Sequence, residues 1–398
     1  MSASAPIFEV KGWCPGALRP MESGDGLIVR VRPRVATLSP VEMQGIATVA
    51  ERYGNGHIDL TRRANLQIRG VGAQTLSPLQ SELRGLGLLD ESAAAEAIRN
   101  ILMSPLAGLD PTEHLDMRPL ALELAQRLAG EPAALTLPSK FGVVLDGGGQ
   151  LPLEDERADF RLVACPAKGK SMIAIARGNT EWLGMVDPDR AAAVLCAIIA
   201  GNQPKLQFVE TLNVQRAYIL ATLPCTLHLS AQCFVVGIGA PFGRLEVNQL
   251  RILAEIASEI RLSPWRMLYI PVADSAAARH VTAAVRAAGF ATEPDDPRMR
   301  VQACSGRPAC RSAHADTRAD AEMIARLMAD TGFSGTVHIS GCAKGCASAA
   351  PAALTLVGAP AGYRVMQNAA AREAGGVIVA PPNMPKRLAA LMGGPRHG

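Results

Sequence analysis

Four cysteines near the C-terminus stand in two short loops, Cys304-Ser-Gly-Arg-Pro-Ala-Cys310 and Cys342-Ala-Lys-Gly-Cys346. Four thiolates on two Gly- and Pro-bearing loops can converge on the corners of a 4Fe–4S cube while the backbone bends around the sulfides. Structural zinc prefers two tight C-x2–4-C pairs, and only the second loop fits that spacing, with no His in a ligand rhythm nearby. The spacing therefore favours iron over zinc, and four unrelated structural thiols is the remaining reading. An electron-transfer centre makes the chain a redox-enzyme candidate. The other five cysteines, Cys14, Cys165, Cys196, Cys225 and Cys233, share no spacing and read as small buried residues.

A second set of residues carries charge. In a strand alternate side chains share a face, so Arg30, Arg32 and Arg34 line up, as do Arg63, Asn65, Gln67 and Arg69, with Leu66 and Ile68 pointing the other way. A solvated face is one reading of such rows. Arg, Asn and Gln in one row also suit bidentate capture of several carboxylates, which points to a planar, multiply carboxylated ligand.

The elements that position these residues occur twice. Residues 26–90 read as β-α-β-β-α, with strands Leu27–Arg32, His57–Leu60 and Asn65–Arg69 and a helix opening at Ser39-Pro40, a ferredoxin-like order. Residues 233–290 repeat it, and Met43, Ile46 and Val49 match Leu250, Leu253 and Ile256 at an offset of 207. The following segments match more faintly near offset 202, a register that sets Lys140 against Cys342. The chain thus reads as a duplication in which one copy keeps a cluster and the other carries positive charge.

Length and composition bound the rest. The 398 residues suit two to three domains, and a net charge of +4 with no block of like charges gives no case for nucleic acid. No 18-residue apolar run predicts a membrane span, and residues 1–10 lack signal-peptide regions, so a cytoplasmic protein is expected.

Four features resemble the sulfite/nitrite reductase superfamily: Leu60-Thr61-Arg62-Arg63-Ala64-Asn65-Leu66-Gln67, Arg99-Asn100, Pro138-Ser139-Lys140-Phe141, and the two cysteine loops. The resemblance implies an α+β fold of two ferredoxin-like half-domains (1–90 and 231–292) and two α/β domains (91–230 and 293–398) around a tetrapyrrole cavity. It places Arg63, Gln67, Arg99 and Lys140 on tetrapyrrole- and anion-contacting positions, and Cys304, Cys310, Cys342 and Cys346 on cluster ligands. With the strand rows, the expected substrate set is Arg32, Arg63, Asn65, Gln67, Arg69, Arg99 and Lys140.

Sulfite reductases carry a second lysine two residues after the first, and Gly142 stands there. Losing a fixed cation weakens the case for reducing S–O or N–O bonds. Lys11-Gly12-Trp13-Cys14-Pro15-Gly16, Gly24-Asp25-Gly26-Leu27 and Asp146-Gly147-Gly148-Gly149 are instead similar to the cobalamin-synthesis branch of the superfamily. That branch implies O2-dependent hydroxylation of precorrin-3A at C20 with closure of a γ-lactone. It implies a 4Fe–4S cluster, a mononuclear non-haem iron and an electron donor, NADH or a reductase or ferredoxin. None of His57, His114, His228, His280, His314, His338 and His397 falls into a 2-His-1-carboxylate spacing, so no ligand of that iron is named. The alternatives are a sirohaem-dependent sulfite or nitrite reductase and a non-catalytic tetrapyrrole-binding protein.

Overall fold

Four five-stranded sheets carry the chain in a computed structural model that describes residues 13–393 except 168, 208–211, 213–221 and 231. Residues 1–10, Lys11, Gly12 and His397, invoked above, lie outside the described residues. The first quarter contains β1 Met21–Ser23, β2 Gly26–Val31, β3 Thr37–Leu38, α1 Pro40–Tyr53, β4 His57–Leu60, β5 Leu66–Val71 and α2 Leu76–Gly85. The second contains α3 Ala93–Ile98, β6 Ile101–Met103, α4 Arg118–Gly130, α5 Pro132–Leu135, β7 Val143–Asp146, β8 Phe160–Ala167, β9 Lys170–Arg177, β10 Glu181–Val186 and α6 Ala191–Ile199. The third has β11 Cys225–Ser230, β12 Cys233–Gly239, β13 Arg244–Glu246, α7 Val247–Ile256, β14 Ile260–Leu262, β15 Met267–Val272 and α8 Ser275–Ala287. The last has β16 Val301–Ala303, α9 Thr317–Thr331, β17 Val337–Ser340, β18 Ala352–Ala359, β19 Gly362–Ala369, β20 Val377–Val379 and α10 Met384–Leu391.

The expected repeat is present, and it is intertwined. Ser39 caps α1 with its side chain accepting from the Glu42 amide while Glu42 accepts from the Ser39 amide, which fixes the helix start read from Ser39-Pro40. β3, just before that cap, leaves its own sheet and pairs with β14, while β13 pairs with β4. The two ferredoxin-like sheets run β1-β2-β5-β4-β13 and β11-β12-β15-β14-β3, so each borrows an edge strand from the other half. The turns that perform the exchange match: Val35 and Phe242, 207 positions apart, both have positive φ, 47° and 55°. α1 and α7 pack together, and one apolar core joins Met43, Ile46 and Ile58 to Leu250, Leu253 and Ile270.

The other two sheets, β10-β9-β8-β7-β6 and β16-β17-β18-β19-β20, are mixed, with parallel pairs β6–β7–β8 and β16–β17–β18. Their loops correspond closely. The His114 amide donates to Gly147 and the His314 amide to Gly341, each at 2.8 Å. The sheet of the second half-domain begins at β11, ahead of residue 231. No helix among the described residues is long and apolar enough to cross a membrane.

The strands also correct the register of Lys140. Val337 opens β17 where Val143 opens β7, an offset of 194, so Cys342 corresponds to Gly148. Lys140 sits in the turn before β7. The helix α5, inserted after α4, shifts the first copy and displaces the faint offset near 202. At β6 and β16 the offset is 200, which sets Ser104 against Cys304 and Asp110 against Cys310.

Candidate functional site

β16 and β17 are adjacent and parallel, so the loops leaving their C-terminal ends must meet. The first carries Cys304 and Cys310, the second Cys342 and Cys346. The Cys304 amide donates to the Ile339 carbonyl at 3.3 Å, and the Gly341 amide donates to Cys304 Sγ at 3.2 Å. Gly306 (φ 61°) and Gly345 (φ 65°) take the left-handed turns that fold the loops back. Burial raises the Cys342 thiol, an effect opposed by the Lys344 amide and reinforced by Cys310 and Cys304. Burial, with Cys304, Cys342 and Cys310, pushes Cys346 up to about 11. Each of these two thiols therefore feels the other cysteines. Among the described residues no three His, Cys, Asp or Glu side chains are placed to hold a single metal ion. Four thiols on two adjacent loops are a donor set of the kind that would hold a 4Fe–4S cluster.

The basic floor lies on the first ferredoxin-like sheet. Arg30 pairs across the strands with Gln67, while Val29 pairs with Ile68 and Val31 with Leu66 inside the core. Alternation then sends Arg30, Gln67 and Arg69 to the opposite face. Arg69 donates there to Asp25 at 2.8 Å and to the carbonyl of Ala309, in the first cysteine loop, at 2.9 Å. Ser23 Oγ and the Gly24 amide donate to the same carbonyl. Arg69 thus ties the floor to the cysteine loop.

Arg63 and Asn65 depart from the expected strand row. β5 opens at Leu66, and Thr61 Oγ1 accepts from the amides of Arg63 and Asn65 at 3.2 Å each, curling residues 61–65 into a turn. Ala64 adopts φ 51° within it. Asn65 is buried, and Arg63 Nη1 is buried with no hydrogen-bond partner among the described residues. A Cβ placed on Gly142 would stand 3.3 Å from that Nη1 and 3.4 Å from the Asn100 carbonyl oxygen. The bare Gly142 and the Arg63 tip are therefore neighbours.

Arg99 donates to both carboxylate oxygens of Asp90, at 2.8 and 2.9 Å, and to the Arg32 carbonyl. Arg32 is 2% exposed and pairs with Glu96 at 3.0 Å. Burial lowers Arg32 to about 10, the nearby Arg30 charge adding to it, and burial lowers Arg30 despite a contact with Cys14. Arg30 Nε and Arg32 Nε have no hydrogen-bond partner among the described residues. The structure thus brings Arg30, Arg63 and Gln67 together, holds Arg32, Arg69 and Arg99 in supporting ion pairs, and leaves Lys140 exposed. Donors that have lost water without gaining an acceptor favour an incoming carboxylate.

Sequence reasoning passed over three features. Arg266 Nε and both ring nitrogens of His338 are buried without partners among the described residues. Beside the second cysteine loop, Arg62, Phe242, Trp265, Arg266, Ala347 and Ser348 help to line an open cavity of about 360 Å³. In the first copy, at the place of the cysteine loops, Asp110 accepts from the Gln150 amide and side chain and from Thr112. Glu113 lies next to it, pushed up to about 8, mainly by burial. No spacing rule reveals these residues, because their burial is created by distant chain segments.

The model of the nitrite/sulfite reductase ferredoxin-like half domain matches residues 19–86, and that of the nitrite and sulphite reductase 4Fe–4S domain matches residues 94–266. The second match ends before the four cysteines. The chain belongs to the nitrite/sulfite reductase superfamily and is an oxidoreductase. Within it, the chain is 34% identical to a precorrin-3B synthase of Sinorhizobium sp, across 91% of this chain and 83% of that protein. It is 24% identical to a ferredoxin–nitrite reductase of Synechococcus elongatus, covering 86% and 78%, and 22% identical to a sulfite reductase (ferredoxin) of Mycobacterium tuberculosis, covering 80% and 67%. The solved structure of the Mycobacterium tuberculosis NirA protein superimposes with a TM-score of 0.70 at 17% identity, covering 94% and 82%, which supports the fold.

Proposed function

We propose that this chain is a precorrin-3B synthase, hydroxylating precorrin-3A at C20 with O2 and closing a γ-lactone in cobalamin synthesis. The observation that carries the reading is the attachment of the basic floor to the cysteine loop, through Arg69, Ser23 and Gly24 on the Ala309 carbonyl. A macrocycle edged with carboxylates, seated over Arg30, Arg32, Gln67 and Arg63, then lies against the centre that delivers electrons. Cys304, Cys310, Cys342 and Cys346 would hold the cluster, which supplies electrons singly to oxygen chemistry, taken from an external donor of the ferredoxin, reductase or NADH type.

The residues of this chain bind and orient. Arg30, buried with an unpartnered Nε, gains an acceptor when a carboxylate arrives, while Glu96 holds Arg32 in place beside it, so the macrocycle is fixed in plane before reaction. Gly142 packs bare against the Arg63 guanidinium, so the second cation that the resemblance gives to sulfite reductases is missing here and charge stabilisation of a bound oxyanion is weaker. That favours oxygen chemistry on the substrate over sulfite or nitrite reduction. The mononuclear iron implied by the resemblance finds no group of ligands among the described residues, and no step is assigned to it.

Anaerobic iron and sulfide quantitation, an absorption spectrum, and oxygen uptake with precorrin-3A and a reductant test the proposal together. Cluster-level iron and sulfide, no sirohaem bands and precorrin-dependent oxygen consumption are expected. Sirohaem bands with sulfite or nitrite turnover would establish the reductase reading, and binding without oxygen uptake would establish a carrier.

A further inference from the structure

His338 is a titratable residue on β17, an inner strand of its sheet. It is 0% exposed, and neither ring nitrogen meets a partner among the described residues. Unpaired buried polar atoms are rare and costly, and an apolar residue would pack there without that penalty. Its neighbours Val337 and Ile339 point into the core beneath α9, so alternation turns His338 to the opposite face. The second cysteine loop folds over that face. Ala343 packs on Val357, Met366, Ala369 and Ala371, and a Cβ on Gly345 would lie 3.7 Å from His338 Cε1. Cε1 is bonded to both ring nitrogens, so the imidazole edge that carries them faces the residue adjoining Cys346.

Arg266 approaches from the ferredoxin-like half. It comes from the turn before β15, and its buried Nε is also unpartnered. Burial first, then Arg62, lower its pKa, while Asp59 and Cys304 oppose them, which places the guanidinium within electrostatic reach of the first cysteine loop. Burial and then Arg266 lower His338 to about 4. Arg266 also lines the open cavity together with Ala347 and Ser348, which directly follow the second cysteine loop.

We propose that His338 and Arg266 are positioning residues for the cluster, His338 donating an N–H group and Arg266 N–H groups and positive charge toward its sulfur edge, thereby raising its reduction potential. Hydrogen bonds to cluster sulfur and nearby charge are among the levers by which a protein sets that potential, since both stabilise the more negative reduced state. The inference rests on the assignment of the four cysteines to a 4Fe–4S cluster. It adds that a packing histidine, the bland reading of a lone buried His, is here a tuning group.

The test uses the full chain, purified and reconstituted anaerobically as wild type, His338→Leu, His338→Gln and Arg266→Gln. Iron and sulfide are counted first, and an EPR-monitored redox titration follows. With iron and sulfide unchanged, His338→Leu is expected to lower the reduced-to-oxidised ratio at fixed potential about tenfold, a shift of about 59 mV for one electron. His338→Gln, which keeps an N–H donor, should recover most of it, and Arg266→Gln should shift in the same direction as His338→Leu. A fully loaded His338→Leu protein with the wild-type midpoint overturns the proposal. If that variant fails to hold the cluster, a loaded Arg266→Gln protein at the wild-type midpoint overturns it equally. A wild-type protein without iron and sulfide would instead remove the cluster assignment itself.

Discussion

At the scale of single residues, Gly142 separates the two enzyme readings, because its missing side chain borders Arg63 Nη1 at 3.3 Å. Gly142→Lys would press a second cation onto a buried guanidinium and fill the space beside it. Hydroxylation is expected to fall at least tenfold without any gain of sulfite or nitrite reduction, as oxygen-uptake and anaerobic dye-oxidation assays would show. Wild-type sulfite turnover that rises on the substitution would return the chain to the reductases. Arg63→Ala removes a charge-assisted contact worth about 1.5–3 kcal/mol, so precorrin-3A affinity should weaken roughly ten- to a hundredfold while iron and sulfide stay constant. Arg63→Lys should restore part of it, since a point charge cannot reproduce the planar fork. An equilibrium binding titration reads both. The adjacency of the two cysteine loops was legible in the sequence because residue type and local spacing carry the signal. Arg30 and His338 were not, since nothing near them in sequence tells that distant strands and loops seal them from water.

At the scale of elements, short turns decided where the sequence reading failed. The alternation of Gln67 and Arg69 was legible, but extending it to Arg63 crossed a turn that Thr61 organises with two hydrogen bonds to its hydroxyl. A Thr before a polar run offered a hint of that side-chain turn. The Lys140 register failed for a similar reason, because α5 lengthens one copy between helix and strand. Where the second copy has its cysteine loops, the first has folded on itself around Asp110 and Glu113. Glu113 Oε2 accepts from the Gly108 amide, while Oε1 is buried without a partner. Its folded pKa of about 8 exceeds the ordinary 4.5, so the neutral carboxyl is the form this loop favours. The stability it contributes is complete below pH 4.5 and is lost as pH rises toward 8, by an amount on the order of a few kcal/mol. Glu113→Gln should flatten that dependence, and denaturant midpoints measured from pH 5 to 8 would reveal it. Parallel pH curves for variant and wild type would show that Glu113 ionises normally.

At the scale of the whole molecule, the duplication was legible from the matched helix residues, whereas the exchange of β3 and β13 was not. Strands of two and three residues have too little pattern to announce their partner sheet. Asp59 shows how tightly the exchange is locked. It is buried on β4 and lies 3.0 Å from Arg244 of the incoming β13, 3.3 Å from Arg318 of α9 and 3.9 Å from Arg69. Burial alone would raise its pKa, but Arg318, Arg244 and Arg69 together hold it below the usual carboxylate value. Asp59→Asn would strand buried guanidinium groups from three parts of the chain, and a loss of about 3–5 kcal/mol is expected in denaturant unfolding. The same architecture governs what can fold alone. Each ferredoxin-like sheet lacks its edge strand without the other half, and α1 would expose the apolar stripe that α7 covers. Residues 1–222 and 223–398, expressed separately, should therefore give no cooperative thermal transition, while coexpression should recover one complex with a single transition. Cooperative unfolding of either half by itself would mean that the exchanged strands decorate two independent domains. Their absence from either isolated sheet would then cost little, and the shared core would not be what holds the cysteine loops against the arginine floor.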